Sequence, residues 1–321
     1  MITPILFFIV GLVLLVKGAD WLVDGASSVA KKLKVSDLVI GLTIVAFGTS
    51  APELVVSVIS NLNGNADIAI GNVLGSNIAN ILLILGVSSI IYPLSVTRGT
   101  VWKEIPLSLL AVILLGIMAN DVLIDGAANS SLTRTDGLAL IAFFIIFLYY
   151  TFGIAKNGNC QPEQGEEVKE IAISKSIIYI FAGLISLVIG GKWVVDSAVS
   201  IATSLGVSEA LIGLTIVAVG TSLPELATSA MATYKKKADI AIGNVVGSNI
   251  FNVFWILGLS SIINPLPFRP EGNFDIMIAI FASLLLFIMM FVGKRHHLER
   301  RDGVIYIFVY VIYIAALVAR G

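Results

Sequence analysis

The chain is poor in reactive and charged residues: one cysteine (Cys160), two histidines (His296 and His297), and 13% charged residues among 321. Each scarcity excludes something. A lone cysteine permits neither an intrachain disulfide nor a thiolate metal cluster. Both histidines fall in one basic stretch, outside every apolar run. That, with no convincing aspartyl pair, argues against an intramembrane protease. Soluble domains carry roughly 25% charged residues. This chain carries half that and is 57% hydrophobic, so it reads as an all-α integral membrane protein. Its net charge of −1 offers no basic face for nucleic acid. Met1 to Val16 lacks a basic leader and a small-residue cleavage site, and is expected to be the first span rather than a signal peptide.

A membrane span needs about 20 apolar residues. Ten such stretches follow one another. They run from about Ile2 to Leu33, Val35 to Asn61, Asp67 to Ile91, Trp102 to Ala119 and Asp136 to Ala155. After a polar stretch come Ser176 to Leu205, Val207 to Thr233, Asp239 to Ile263, Asp275 to Val292 and Gly303 to Ala319. The first would be about 45 Å long as a single helix, so it must tilt or project from the bilayer. The polar, acidic residues 156–170 separate an N-terminal half, 1–155, from a C-terminal half, 171–321, within a single membrane domain.

The halves are copies. Val35 to Leu94 aligns without a gap on Val207 to Leu266, and 38 of the 60 positions are identical. Five spans per half is an odd number, which forces the halves into opposite orientations, an inverted repeat with a shared site between the copies. Lysines and arginines fix the sidedness. Fifteen of the 20 fall in loops after spans 1, 3, 5, 7 and 9, and three (Arg134, Arg269 and Arg320) fall on the other side. The basic loops are therefore expected to be cytoplasmic, with both termini outside the cell membrane.

The chemistry concentrates at Gly48-Thr49-Ser50-Ala51-Pro52-Glu53 and its copy Gly220-Thr221-Ser222-Leu223-Pro224-Glu225. Proline lacks an N–H and crowds the preceding turn, so each helix must bend or break. Carbonyls freed at that depth persist only against protein, water or an ion. Spans 3 and 8 add a second pair of walls. Asn72, Ser76 and Asn80 lie at i, i+4 and i+8, one stripe on a helix, matched by Asn244, Ser248 and Asn252. Together these helices offer two carboxylates, hydroxyls, amide oxygens and carbonyls. Such an all-oxygen set suits a hard cation, and its flexible ligands favour Ca2+ over Mg2+. Two carboxylates match the charge of one Ca2+ or hold several Na+. The same residues admit plainer readings. Glycine and serine stripes serve packing, the Asn80 and Asn252 amides can join helices, and Asn77 and Asn249 can buttress. Asp20, Asp24, Lys192 and Asp196 read as salt-bridged or snorkelling.

The paired GTS-x-PE and GSNI-x-N segments resemble the two alpha-repeats of the cation/calcium exchanger superfamily, and the whole chain is similar to sodium/calcium exchangers of methanogenic archaea. The resemblance implies ten helices, with broken helices 2/7 and 3/8 forming the ion-binding core and four ion positions at mid-membrane. It implies that Glu53, Glu225 and the carbonyls of Thr49 and Thr221 hold calcium. Ser50, Ser76 and the Ala46 carbonyl would form one sodium site with Glu53. Ser222, Ser248 and the Ala218 carbonyl would form the other with Glu225, and Asn80 and Asn252 would line the centre. It further implies electrogenic exchange of more than two Na+ per Ca2+ by alternating access, with helices 1 and 6 sliding over a fixed core. These ions are cargo, and no resident cofactor or enzymatic activity is expected. Close archaeal and potassium-dependent relatives usually carry Asp where this chain has Asn252, which removes a titratable group and argues against a potassium requirement.

Two other readings stand beside a Na+/Ca2+ antiporter. A Ca2+/H+ exchanger needs the carboxylates but not the sodium-suited hydroxyls. A cation channel would take its pore from an oligomer axis or a filter, whereas nothing in this sequence requires more than a monomer.

Overall fold

Two helices of 32 residues, α1 (Ile2–Leu33) and α7 (Ile173–Ser204), lie against each other along their length in a computed structural model that describes residues 2–157, 171–205 and 218–320. Gly11 meets Gly190, Gly18 meets Gly183 and Gly25 meets Ser176. One number climbs by seven as the other falls by seven, so the helices are antiparallel. Seven residues make two turns, so the small residues form a stripe along which the two backbones touch. A Cβ on Gly18 would lie 2.9 Å from the Gly183 carbonyl oxygen, and one on Gly183 would lie 2.7 Å from the Gly18 oxygen. The first spans of the two halves therefore run in opposite directions.

The remaining helices follow in order. They are α2 (Asp37–Thr49), α3 (Ala51–Leu62), α4 (Ala66–Ile91), α5 (Arg98–Met118) and α6 (Arg134–Asn157) in the first half. The second half adds α8 (Leu223–Tyr234), α9 (Ala238–Ile263), α10 (Asn273–Met289) and α11 (Arg300–Arg320). Among the described residues, eight helices are long and apolar enough to cross a membrane, and α2 with α3 makes one further, bent span. The expected seventh span begins in residues that lie outside the described ones, as does most of the linker; α8 is the described end of that span.

The break in the second span falls where Pro52 predicts it. Ser50 leaves helical geometry at φ −80° and ψ 7°, Pro52 sits in the first turn of α3, and the axes of α2 and α3 differ by 45°. The expected breaks in spans 3 and 8 do not occur. Neither contains a proline, and each runs on as a 26-residue helix. What changes is the winding. Asn80–Ile84 and Phe251–Leu257 widen to π-helical turns, which absorb an extra residue without opening the helix.

α4 and α9 form the centre. All 13 residues of Ala238–Ile250 are buried, although they include Asp239, Asn244, Ser248 and Asn249. Around them, α1, α6, α7 and α11 turn large apolar side chains outward, among them Phe7, Ile146, Phe181 and Phe308. An apolar exterior around a polar-lined centre fits a lipid solvent. Two short antiparallel strand pairs tie the halves: β1 (Leu94–Ser95) with β4 (His297–Leu298), and β2 (Ser131–Leu132) with β3 (Leu266–Pro267). Each pair takes one strand from each half, and the repeat offset carries Leu94 of β1 onto Leu266 of β3. The second pair is thus the first with the halves exchanged. Asp20 and Asp24 of α1 share Lys235, just past α8, each with an oxygen 2.6 Å from its Nζ.

Replacing Gly183 with leucine drives a side chain into the α1 backbone. Overpacking of this kind costs about 1–3 kcal/mol. Thermal unfolding in detergent is expected to shift down clearly for Gly183→Leu and little for Gly153→Leu, whose Cβ position has no neighbour within 4 Å. Equal midpoints would refute the close backbone contact.

Candidate ion-binding site

The two breaks set the site. Thr49 is the last residue of α2, and Ser50 is the corner from which α3 starts and carries Glu53 in its first turn. In the copy, Thr221 and Ser222 form the turn between the helical residues Ala218–Gly220 and α8, which begins with Leu223-Pro224-Glu225. Glu53 is 0% and Glu225 1% exposed. Among the described residues, no Lys, Arg or His forms an ion pair with either, and no cluster of three His, Cys, Asp or Glu side chains exists. An isolated buried carboxylate is costly unless something positive or hydrogen-bonding reaches it.

What reaches them is a set of hydroxyls. Ser76 of α4 donates to Glu53 Oε1 at 3.3 Å, and Ser222 contacts the same oxygen at 3.4 Å and Ser76 Oγ at 3.1 Å. Ser50 donates to Glu225 Oε1 at 3.1 Å. The turn serines therefore exchange halves, since Ser50 serves Glu225 and Ser222 serves Glu53. This differs from the grouping that the resemblance implies, which places Ser50 with Glu53 and Ser222 with Glu225. The inverted packing sets each break beside the opposite carboxylate. Ser76 keeps its expected neighbour. The Ala46 carbonyl is already engaged, accepting from the Ser50 N–H at 3.0 Å and the Thr49 hydroxyl at 3.4 Å.

Asparagines brace this arrangement. Asn72 Nδ2 donates to the Glu53 carbonyl at 3.3 Å and to Ser57 Oγ at 3.0 Å, while its Oδ1 accepts from the Thr221 hydroxyl at 3.3 Å. Asn244 repeats the pattern with the Glu225 carbonyl at 3.4 Å, Ser229 Oγ at 2.9 Å and the Thr49 hydroxyl at 3.0 Å. Each therefore clamps the helix that carries one glutamate to the break in the other half. One turn beyond Ser76, Asn80 donates to Asn249 Oδ1 at 2.9 Å, and Asn252 donates to Asn77 Oδ1 at 3.0 Å.

Glu53 Oε2, Glu225 Oε2, Asn80 Oδ1, Asn252 Oδ1 and Ser248 Oγ remain, all buried and without a hydrogen-bond partner. Each unmet buried polar atom costs about 1–3 kcal/mol, so five in one core form an unusual concentration. All five are oxygens, and four of them can only accept. A hard cation meets that need.

The model of the sodium/calcium exchanger protein family matches residues 3–153 and 175–319. The chain belongs to the sodium/calcium exchanger family. It is 34% identical to sodium/calcium exchanger MaX1 of Methanosarcina acetivorans, with 97% of each chain covered. It is 39% identical to CaxA of Alkalimonas amylolytica, with 98% of each covered. A solved structure of the sodium-calcium exchanger NCX_Mj superposes with a TM-score of 0.83 at 35% identity over 99% of both chains. The membrane-embedded oxygen site thus sits in a family of exchangers, not of enzymes.

The sequence names Glu53, Glu225, Ser50, Ser76 and Ser222, which the structure brings into hydrogen-bonded contact, and Ser248, Asn80 and Asn252, which it buries. Reading along the chain misses Asn72 and Asn244 as clamps between the halves. The available clue is the identical asparagine in both copies of a membrane helix, where each amide needs partners.

Crossed pairing is measurable by double-mutant cycles on thermal stability. Ser50→Ala with Glu225→Gln is expected to show a coupling of about 0.5–2 kcal/mol. Ser50→Ala with Glu53→Gln is expected to show less. The reverse order would return Ser50 to its own half.

Proposed function

We propose that this chain is an electrogenic Na+/Ca2+ antiporter that works by alternating access at the Glu53–Glu225 site. The observation that carries this reading is the set of five buried, unpartnered oxygens, one from each of the two uncompensated carboxylates and one each from Asn80, Asn252 and Ser248. With both glutamates ionised the site carries −2. One Ca2+ neutralises it, and so do two Na+. A third Na+ would leave +1, so exchange of more than two Na+ for one Ca2+ moves charge. Ser50, Ser76 and Ser222 on the Oε1 atoms, and the free hydroxyl of Ser248, add neutral ligands suited to Na+. A proton would need none of them. The neighbouring family members described as sodium/calcium exchangers support the same assignment.

The ligands come from both halves, so a movement of one structural unit against the rest opens the site to either side in turn. The candidate moving unit is the antiparallel pair α1–α7, whose backbones touch along the glycine stripe and whose outer faces are apolar. In this reading the protein has ten spans, its basic loops are cytoplasmic, and both termini are outside. A monomer suffices because the site is complete within one chain.

Purified protein in liposomes preloaded with Na+ is expected to take up 45Ca2+ only while internal Na+ exceeds external Na+, and uptake should respond to membrane potential. Uptake driven by a pH gradient at equal Na+ would make it a Ca2+/H+ exchanger. Uptake indifferent to any counter-ion would make it a channel.

Glu53→Gln and Glu225→Gln keep the side-chain shape and a hydrogen-bonding oxygen but remove the charge. Taking one member from a buried charge pair costs about 3–5 kcal/mol. Calcium affinity is therefore expected to fall about 10²–10⁴-fold, measured by calorimetric titration of folded protein. Retention of wild-type affinity by either variant would sink the shared site.

A further inference from the structure

Asn80 and Asn252 offer oxygens to the centre of the site, yet a carboxamide has two unlike ends. Turned one way it presents an acceptor, and turned the other it presents two N–H donors. A cation beside the wrong end meets partial positive charge where the protein screens poorly. Some group must decide the orientation, and the ion ligands described so far do not.

We propose that Asn77 and Asn249 are positioning residues that aim the Asn252 and Asn80 amides at the transported cation, each across the boundary between the halves. This rests on the reading of the site as the cation-binding centre. Asn252 Nδ2 donates to Asn77 Oδ1 at 3.0 Å, and Asn80 Nδ2 donates to Asn249 Oδ1 at 2.9 Å. Both accepting atoms are amide oxygens, so only an N–H2 group can face them. A flipped ligand amide would set oxygen against oxygen and lose the bond. Asn77 is itself anchored, its Nδ2 donating to the Asn249 backbone carbonyl at 3.3 Å. That bond consumes its donor end and leaves Oδ1 to receive Asn252. All four side chains are 0–1% exposed, out of reach of bulk solvent. The ends left over, Asn80 Oδ1 and Asn252 Oδ1, are the ones without a partner.

The placement in the helices agrees. Asn77 and Asn249 lie in the α-wound parts of α4 and α9, whereas Asn80 opens one π-wound segment and Asn252 lies second in the other. The positioning residue sits on regular helix and the ligand on the wider turn.

Interhelical adhesion is the competing role for the same three bonds, and the two differ in one respect. An orienting partner matters only while the ligand is an amide. A carboxylate has oxygen at both ends and needs no orientation. Outer-shell partners of metal ligands typically contribute about 10–100-fold in affinity. Asn77→Leu is therefore expected to weaken Ca2+ binding about 10–100-fold when residue 252 is Asn. In the Asn252→Asp background the same change should cost less than about 3-fold, because the orientation requirement is gone. The mirror cycle, Asn249→Leu with and without Asn80→Asp, should behave alike. The measurement is calorimetric titration of CaCl2 into the purified full-length chain.

An equal cost in both backgrounds, or no cost in either, would overturn the proposal in favour of adhesion. Should Asn77→Leu fail to fold, the Asn249→Leu cycle carries the test, since it leaves the backbone carbonyl that anchors Asn77 in place. A cost confined to the Asn80 background supports the proposal, and an equal cost in both backgrounds or none in either overturns it. A wild-type protein that folds and binds no Ca2+ would overturn the ion-site reading, and this inference with it.

Discussion

Two carboxylates buried in a polar-lined centre, with no basic side chain paired to either among the described residues, constrain nearly everything else in this molecule. Such groups are tolerable only if hydrogen bonds and an exchangeable cation share the burden. Serine hydroxyls take the Oε1 atoms, while the Oε2 atoms are left to something mobile. A fixed lysine would neutralise the site permanently and abolish turnover. In the proposed reading the missing counter-charge is the functional feature, and the packing around it preserves a defined shape.

That shape is kept by bonds that cross between the two halves. Asn72 and Asn244 clamp each glutamate-bearing helix to the opposite break. Ser50 and Ser222 reach the opposite carboxylates, and the four central asparagines bond across the boundary. The strand pairs β1–β4 and β2–β3 repeat the theme at the periphery. Neither half holds a complete site, so ligand geometry depends on how the halves sit together. The proposed alternating access needs that dependence.

The helices surrounding this centre do simpler work. The α1–α7 pair brings its backbones together at glycines, and side chains also join the two helices, Phe7 against Trp193 and Ser176 donating to Ser28 at 2.9 Å. Ion pairs from Asp20 and Asp24 to Lys235 fasten α1 to the end of α8 at one place. A closely joined pair with a local ionic contact to the core fits the moving unit proposed above.

Much of this was legible along the chain. Low charge and long apolar runs dictated a membrane protein, because lipid cannot solvate charge or open backbone. The duplication of 38 in 60 positions dictated two like units, and the prolines at 52 and 224 marked where helices could not continue. Glu53, Glu225 and the serine and asparagine stripes followed from residue type and helical spacing, which are local properties. Tertiary structure decided what spacing cannot express. It set which serine meets which glutamate, because that depends on contacts about 170 residues apart. It gave spans 3 and 8 π-wound turns instead of breaks, because winding responds to packing and no residue type encodes it. It also gave Asn77 and Asn249 their partners, because the end an amide presents is decided by the atom facing it from another helix.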